Sequence, residues 1–130
     1  ISADSVLLEV ADHAGVAKAM QNMDAGIFII KPAYSKIASA PTKLGEFLGC
    51  GVPCLGNANV GDIADIIVGE KVGVVLSSFD ADSIRVAVEE LVCLTKQEGI
   101  KAHCRDVAFR YFSLKEGVRS FDRIYRELVV

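Results

Sequence analysis

Apolar residues in this chain fall into short unbroken runs, separated by stretches in which they recur every three or four positions. The runs are Ser5-Val6-Leu7-Leu8-Glu9-Val10, Ile27-Phe28-Ile29-Ile30, Val52-Pro53-Cys54-Leu55-Gly56 and Val72-Gly73-Val74-Val75-Leu76. Nearly continuous runs of this length predict strands covered on both faces, as in a parallel sheet. The stretches between them predict helices. Asp12 can cap one that runs to about Asn22, with Val16, Met20 and Met23 facing the core. Others cover about 41–50, Asp62 to Val68, and Ser83 to Lys96, the last with Ile84, Val88, Leu91 and Val92 as its buried stripe. Two more, about 98–112 and 115–128, break near Ser113. The order β-α-β-α-β-α-β-α-α-α predicts an α/β fold, a Rossmann-like parallel sheet with helices on both faces. No repeat, low-complexity stretch or internal linker interrupts it, and residues 1–130 make a single domain.

The punctuation agrees. Asp24-Ala25-Gly26 turns the chain into its second strand, and Pro32 stops that strand. The loops at 31–38 and 57–61 each follow the carboxyl end of a strand, the edge at which open α/β sheets bind ligands. Tyr34, Ser35 and Lys36 therefore lie near any such site. Asp80 and Asp82 stand before a helix, where carboxylates serve as caps; a general acid–base pair is the other reading. Asp62 reads as a cap or loop fastener, and His13 as a surface or capping residue. Phe109, Phe112, Phe121 and Tyr125 keep helical spacing and read as packing anchors, not as base-stacking platforms.

Composition narrows the classes. A hydrophobic fraction of 52% is enough for a real core, and no apolar run approaches the roughly 18–20 residues that cross a bilayer. Ile1-Ser2-Ala3-Asp4 carries no positive charge, unlike the start of a signal peptide. The cysteines at 50, 54, 93 and 104 sit among apolar neighbours without the C-x2-C spacing of a zinc or redox site. They read as reduced structural thiols of a cytoplasmic protein, with a disulfide or metal role as the alternative. No metal site is expected. Six basic and twelve acidic side chains lie up to Thr95, against eight and five beyond it. This mild basic tail does not make a nucleic-acid face; it reads as a solvated helix, or as a weak contact with an anionic membrane surface.

The chemistry concentrates in Ser39-Ala40-Pro41-Thr42-Lys43-Leu44-Gly45-Glu46-Phe47-Leu48-Gly49-Cys50-Gly51-Val52-Pro53. Pro41 suits the first position of a helix. The N–H groups of Thr42, Lys43 and Leu44 behind it then have no partner inside the helix. Free donors at the positive end of a helix dipole attract an anion, and Lys43 adds a full charge. Glu46 shares a face with Thr42 and Lys43. Its carboxylate repels phosphate but can accept hydrogen bonds from a sugar diol. Phosphate first and hydroxyls second is the order of groups in a nucleoside diphosphate. Gly45 and Gly49, four apart, either pack tightly on the sheet or let a ligand approach the backbone.

Pro41-Thr42-Lys43-Leu44-Gly45-Glu46-Phe47-Leu48 followed by Cys50-Gly51-Val52-Pro53 resembles the donor-site helix of GT-B glycosyltransferases, in particular the large retaining family 4. Asn57-Ala58-Asn59-Val60-Gly61-Asp62, the Gly73-Val74-Val75-Leu76 strand and the tail Phe121-Asp122-Arg123-Ile124-Tyr125-Arg126-Glu127-Leu128 continue the likeness. It runs through nearly the whole chain. The resemblance implies the later part of a C-terminal, donor-binding domain, the second domain of a GT-B architecture. It implies a nucleotide diphosphate sugar such as a UDP- or GDP-sugar as donor, transferred with retention and without an obligatory metal or other cofactor. Ser39, Pro41, Thr42, Lys43, Leu44 and Glu46 would be the donor-binding residues, with Glu46 as the second glutamate of the family's E-x7-E motif, on the ribose hydroxyls. The first glutamate falls at position 38, which is Ala38, a departure that bears on contacts with the transferred sugar. The acceptor domain, the basic phosphate contact and part of the base pocket belong to segments upstream, and no catalytic side chain is named within the chain. By this reading the 130 residues are a piece of an enzyme, since a two-domain transferase needs roughly twice their length.

A non-catalytic phosphate-binding or regulatory module of the same fold is the competing class. Neither G-x4-G-K-[ST] nor G-x-G-x-x-G occurs. Asp24 and Asp62 are not placed as a receiver-like acidic cluster.

Overall fold

The computed structural model describes residues 2–129; Ile1, which opens the uncationic start, and Val130 lie outside it. Three strands, β1 (Gly26–Ile27), β2 (Cys54–Asn57) and β3 (Gly73–Leu76), form one sheet in the order β1-β2-β3. All pairs are parallel, with Gly26 opposite Cys54 and Ile27 opposite Leu55, then Cys54 opposite Gly73 through Asn57 opposite Leu76. Six helices complete the described chain: α1 (His13–Met20), α2 (Thr42–Cys50), α3 (Ile63–Gly69), α4 (Ala81–Thr95), α5 (Ile100–Phe112) and α6 (Leu114–Leu128). The protein is thus α/β, with a small open parallel sheet compatible with a Rossmann-like fold.

Alternation along the sheet divides the core in two. Cys54 joins Met20, Leu44, Leu48, Ile63, Ile67 and Val107 in the main cluster, built from α1, α2, α3 and α5. Leu55 and Leu76 face the other way, against Ala87 and Leu91 of α4. The predicted caps of α1 and α4 are present: Asp12 accepts from the Gly15 N–H at 2.7 Å and Asp80 from the Ser83 N–H at 2.9 Å. Asp80 also takes the Ser78 and Ser83 hydroxyls at 2.6 and 2.7 Å. Chiefly the Ser78 bond, then those from Ser83, holds its carboxyl far below the usual range. It is a fastened cap, and Asp82 reaches Arg85 at 3.5 Å.

Several expectations are corrected. Ser5 to Val10 is not a strand. A single 3-10 turn, Ala3–Ser5, leads into extended chain with no sheet partner, and Leu8 and Val10 are fully in solvent. An apolar run becomes a strand only beside another strand, and none of the described residues supplies one. The Ile27–Ile30 strand is shorter than expected: pairing ends at Ile27, with one further bond from the Phe28 N–H to the Leu55 carbonyl at 3.0 Å. Of the methionines, Met20 is buried and Met23 is exposed. The α4 stripe is only partly covered. Leu91 is buried, whereas Ile84, Val88 and Val92 stay more than 40% exposed. Ile84 and Val88 line a wholly apolar groove of about 170 Å³ with Ile27, Ile29, Leu55 and Phe79, on the β1 side of the sheet.

The aromatic anchors also differ. Phe109, Phe121 and Tyr125 are each more than 60% exposed, and α6 buries no residue. Leu114, Val118, Phe121, Tyr125 and Leu128 make a stripe along it, so the amphipathic pattern is present without a neighbour to cover it. Phe112 alone is half-covered, because it leans on Gly45 of α2, where an added Cβ would meet its ring at 3.0 Å. Gly45 therefore serves packing, against α5 and not the sheet; Gly49 faces open space.

One polar cluster had no sequence signal. Glu70, at the end of α3, takes a bidentate pair from Arg110 at 3.0 and 2.7 Å and the Tyr111 hydroxyl at 2.6 Å. The His103 ring meets its backbone carbonyl at 2.6 Å. These contacts tie α3 to α5. The Arg110 hydrogen bonds, then the Tyr111 bond, lower the Glu70 pKa from 4.5 to about 2. A lowered carboxyl stabilises the fold above its unfolded value and loses that contribution as pH falls. Acid unfolding followed by circular dichroism should therefore show a loss between pH 4.5 and about 2. Glu70→Gln should flatten that limb; a Gln variant with the same acid profile would exclude Glu70 as its source.

Candidate functional site

The carboxyl edge of the parallel sheet is formed by the chain leaving β1 at residues 28–41, the turn after β2 at 58–62 and the turn after β3 at 77–80. The start of α2 stands at this edge. Pro41 is its N-cap, with extended φ −66° and ψ 117°, and not its first helical residue as expected. This is the backbone that a residue just before a helix adopts, and proline can offer no side-chain cap. The Thr42 and Lys43 N–H groups find no acceptor among the described residues. The Leu44 N–H does, bonding the Pro41 carbonyl at 3.2 Å, so two donors rather than three remain free. Thr42 and Lys43 are exposed, which leaves those donors open to a ligand.

Side chains divide by role. Leu44 is buried at 2% exposure and anchors the first turn in the main core, so it can reach a ligand only through its backbone. Lys43 Nζ contacts Glu46 Oε2 at 2.6 Å, with both side chains partly exposed at 53% and 38%. The three-residue spacing brings them together, as helix geometry requires. The sequence pattern assigns them separate contacts, one to phosphate and one to ribose; in the fold they are paired with each other. An exposed pair of this kind is weakly held, at about 0–1 kcal/mol, so an anion can draw the ammonium away and free the carboxylate. Ser39 is half-buried before the helix, its N–H bonded to the Lys36 carbonyl at 3.1 Å. Tyr34, Ser35 and Lys36 form a 3-10 turn in the same loop, and Tyr34 is 92% exposed.

No protein-family model, curated protein or solved structure matches this chain. The site is therefore read from its own chemistry.

A groove of about 260 Å³ runs beside Lys43 and Glu46 between α1 and α2, lined also by His13, Val16, Met20 and Cys50. It brings His13, the first residue of α1, to the same groove as the ion pair. Only the α1–α2 packing shows this, because His13 and Lys43 are thirty residues apart. A larger hollow of about 570 Å³ lies away from this edge, between α4 and the open side of β3. Val68, Lys71, Val86, Glu89, Cys93 and Gln97 line it, so it joins apolar side chains to a few dispersed polar ones of both signs. It follows from β3 lying at the margin of the sheet.

The remaining chemistry-bearing residues have structural settings. All four cysteines are free thiols. Burial pushes the Cys104 thiol up to about 11 and Cys54 higher still, so neither is a nucleophile at neutral pH. Among the described residues, no three His, Cys, Asp or Glu side chains converge to hold a metal ion. Asp62 begins α3 without a side-chain cap bond. No helix of the described residues is long and apolar enough to cross a membrane.

Proposed function

We propose that this chain is the donor-binding part of a retaining, GT-B-type glycosyltransferase, gripping the diphosphate and ribose of a nucleotide sugar at the start of α2. The observation that carries the reading is the pair of unpartnered N–H groups of Thr42 and Lys43, beside an ammonium and a carboxylate one turn on. The N–H groups and the helix dipole receive the diphosphate, Lys43 neutralises it, and Glu46 turns to the ribose hydroxyls. During transfer the same donors stabilise charge growing on the departing diphosphate, which is electrostatic stabilisation of the kind that dominates many enzymes. The sugar goes to a glycan, lipid or other acceptor held by a separate domain, in a cytoplasmic enzyme that touches the membrane surface at most peripherally. No metal takes part in this reading.

Titration calorimetry with UDP, GDP and their glucose and mannose conjugates tests the proposal. The 130 residues should bind at least one nucleotide weakly and transfer no sugar by themselves. Lys43→Ala should weaken diphosphate binding about tenfold, the worth of one charge-assisted contact. Glu46→Ala should weaken nucleoside diphosphates while sparing inorganic pyrophosphate. Equal affinity in wild type and both variants would sink the assignment. The non-catalytic alternative draws on Ala38 and on the Lys43–Glu46 pair; it predicts nucleotide binding with no transfer even once an acceptor domain is supplied.

A further inference from the structure

We propose that Asn57 and Gly61 are positioning residues: together they tether the loop of residues 30–41 and so set the place and direction of the α2 amino-terminus. The inference rests on the donor-site reading above for its functional meaning, and on independent geometry for the tether.

Asn57 ends β2 and is the buried polar side chain of the described core, at 2% exposure. A buried amide is costly unless its bonds are met. Here they are met by both backbone groups of Ile30 and by the carbonyl of the next residue, Ala58. Oδ1 accepts from the Ile30 N–H at 2.8 Å, and Nδ2 donates to the Ile30 carbonyl at 2.9 Å and to the Ala58 carbonyl at 3.1 Å. The amide thus continues the β1–β2 ladder three residues past Ile27, where backbone pairing has stopped. An aliphatic side chain would fill the same space but could not bond both groups of Ile30.

Gly61 makes the second attachment. Its N–H bonds the Lys36 carbonyl at 3.1 Å, and its φ is +47°. A Cβ built there would lie 1.9 Å from the Ser39 carbonyl oxygen. Ser39 is two residues before the α2 cap. Among the described residues, every hydrogen bond that leaves the 29–41 segment for a distant part of the chain goes to Asn57 or Gly61; the rest are local turns. Apolar packing adds one anchor at the start of the segment, Ile30, which is half-buried against the main cluster; Ile29, Tyr34 and Ile37 are exposed. The β2–α3 turn therefore acts as a template for the loop that delivers Thr42 and Lys43.

Two variants and a control test this on the full chain, read by amide hydrogen exchange and by affinity for inorganic pyrophosphate. Gly61→Ala drives a methyl into the Ser39 carbonyl. Asn57→Asp keeps an acceptor for the Ile30 N–H but sets a carboxylate oxygen against two carbonyls. Each should speed exchange at the hydrogen-bonded amides of the loop, Ile30, Lys36, Ile37 and Ser39, about tenfold and weaken pyrophosphate by a similar factor, about the worth of one net hydrogen bond. Amides of β3 and α5 should keep their protection. Asn59→Ala is the control, since Asn59 also has positive φ, at +64°, but is exposed. It should leave exchange at those four amides and affinity within about twofold of wild type, the small cost of turn strain alone. Unchanged exchange at Ile30, Lys36, Ile37 and Ser39 overturns the tether. Loosened exchange with unchanged affinity overturns the positioning role, and loosening spread equally over β3 and α5 reduces both residues to general stability. If wild type binds no pyrophosphate, the donor reading fails by itself, and exchange alone decides whether the tether stands.

Discussion

Gly73→Ala is expected to destabilise the fold by about 3 kcal/mol, at the upper end of the usual cost of overpacking. An alanine Cβ at this position would stand 2.0 Å from the Cys54 carbonyl oxygen, 2.9 Å from its carbon and 3.0 Å from its nitrogen. All three are backbone atoms, so no side chain can rotate aside. Cys54 is paired with Gly73 across the β2–β3 ladder, and its N–H bonds the neighbouring Val72 carbonyl at 3.1 Å. Relief would require the two strands to part at the first rung of their pairing. Urea unfolding should show a lower midpoint at nearly constant slope. A midpoint equal to wild type would mean that β2 and β3 do not meet in this register.

The second large effect is at Leu48, set against a residue of similar hydrophobicity elsewhere. Leu48 is wholly buried in the main cluster. Leu48→Ala should cost about 3 kcal/mol, combining lost transfer energy with the cavity left between the sheet and its helices. Phe121 is larger, yet it is 64% exposed on α6. Phe121→Ala should change stability by less than about 0.5 kcal/mol, as at ordinary surface positions. If the phenylalanine variant proved the more damaging, α6 would have to pack against something in solution, and its bare stripe would be misplaced.

These contrasts show where sequence patterns suffice. The helices could be read because their signals are local. Asp12 and Asp80 cap as their positions predict, and Lys43 and Glu46 meet because three residues is nearly one helical turn. Whether a face is covered depends on partners far along the chain. Val6 to Val10 has the composition of a buried strand and remains in solvent for want of a neighbour. Phe121 and Tyr125 keep the spacing of core residues on a helix that nothing covers. In the candidate site, the donors of Thr42 and Lys43 were legible from Pro41 onward. The Lys43–Glu46 pair was only half so, since spacing shows that two side chains can meet but not that they do. Asn57 left a faint mark, a polar residue closing the apolar run from Val52. Glu70 left none, because its partners on α5 lie forty residues away.

The way the strands are joined has a consequence for how the protein comes together. Successive strands run in the same direction, so no pair can zip up from a tight hairpin. The first rung of each ladder joins Gly26 to Cys54 and Cys54 to Gly73, closing loops that already contain a helix. Chain closure over such distances is paid before the ladder returns anything, which places folding among the slower topologies for a chain of this size. Early species should be rich in helix and poor in sheet, with the apolar edges of β1 and β3 bare, and refolding at high concentration should lose yield to aggregation.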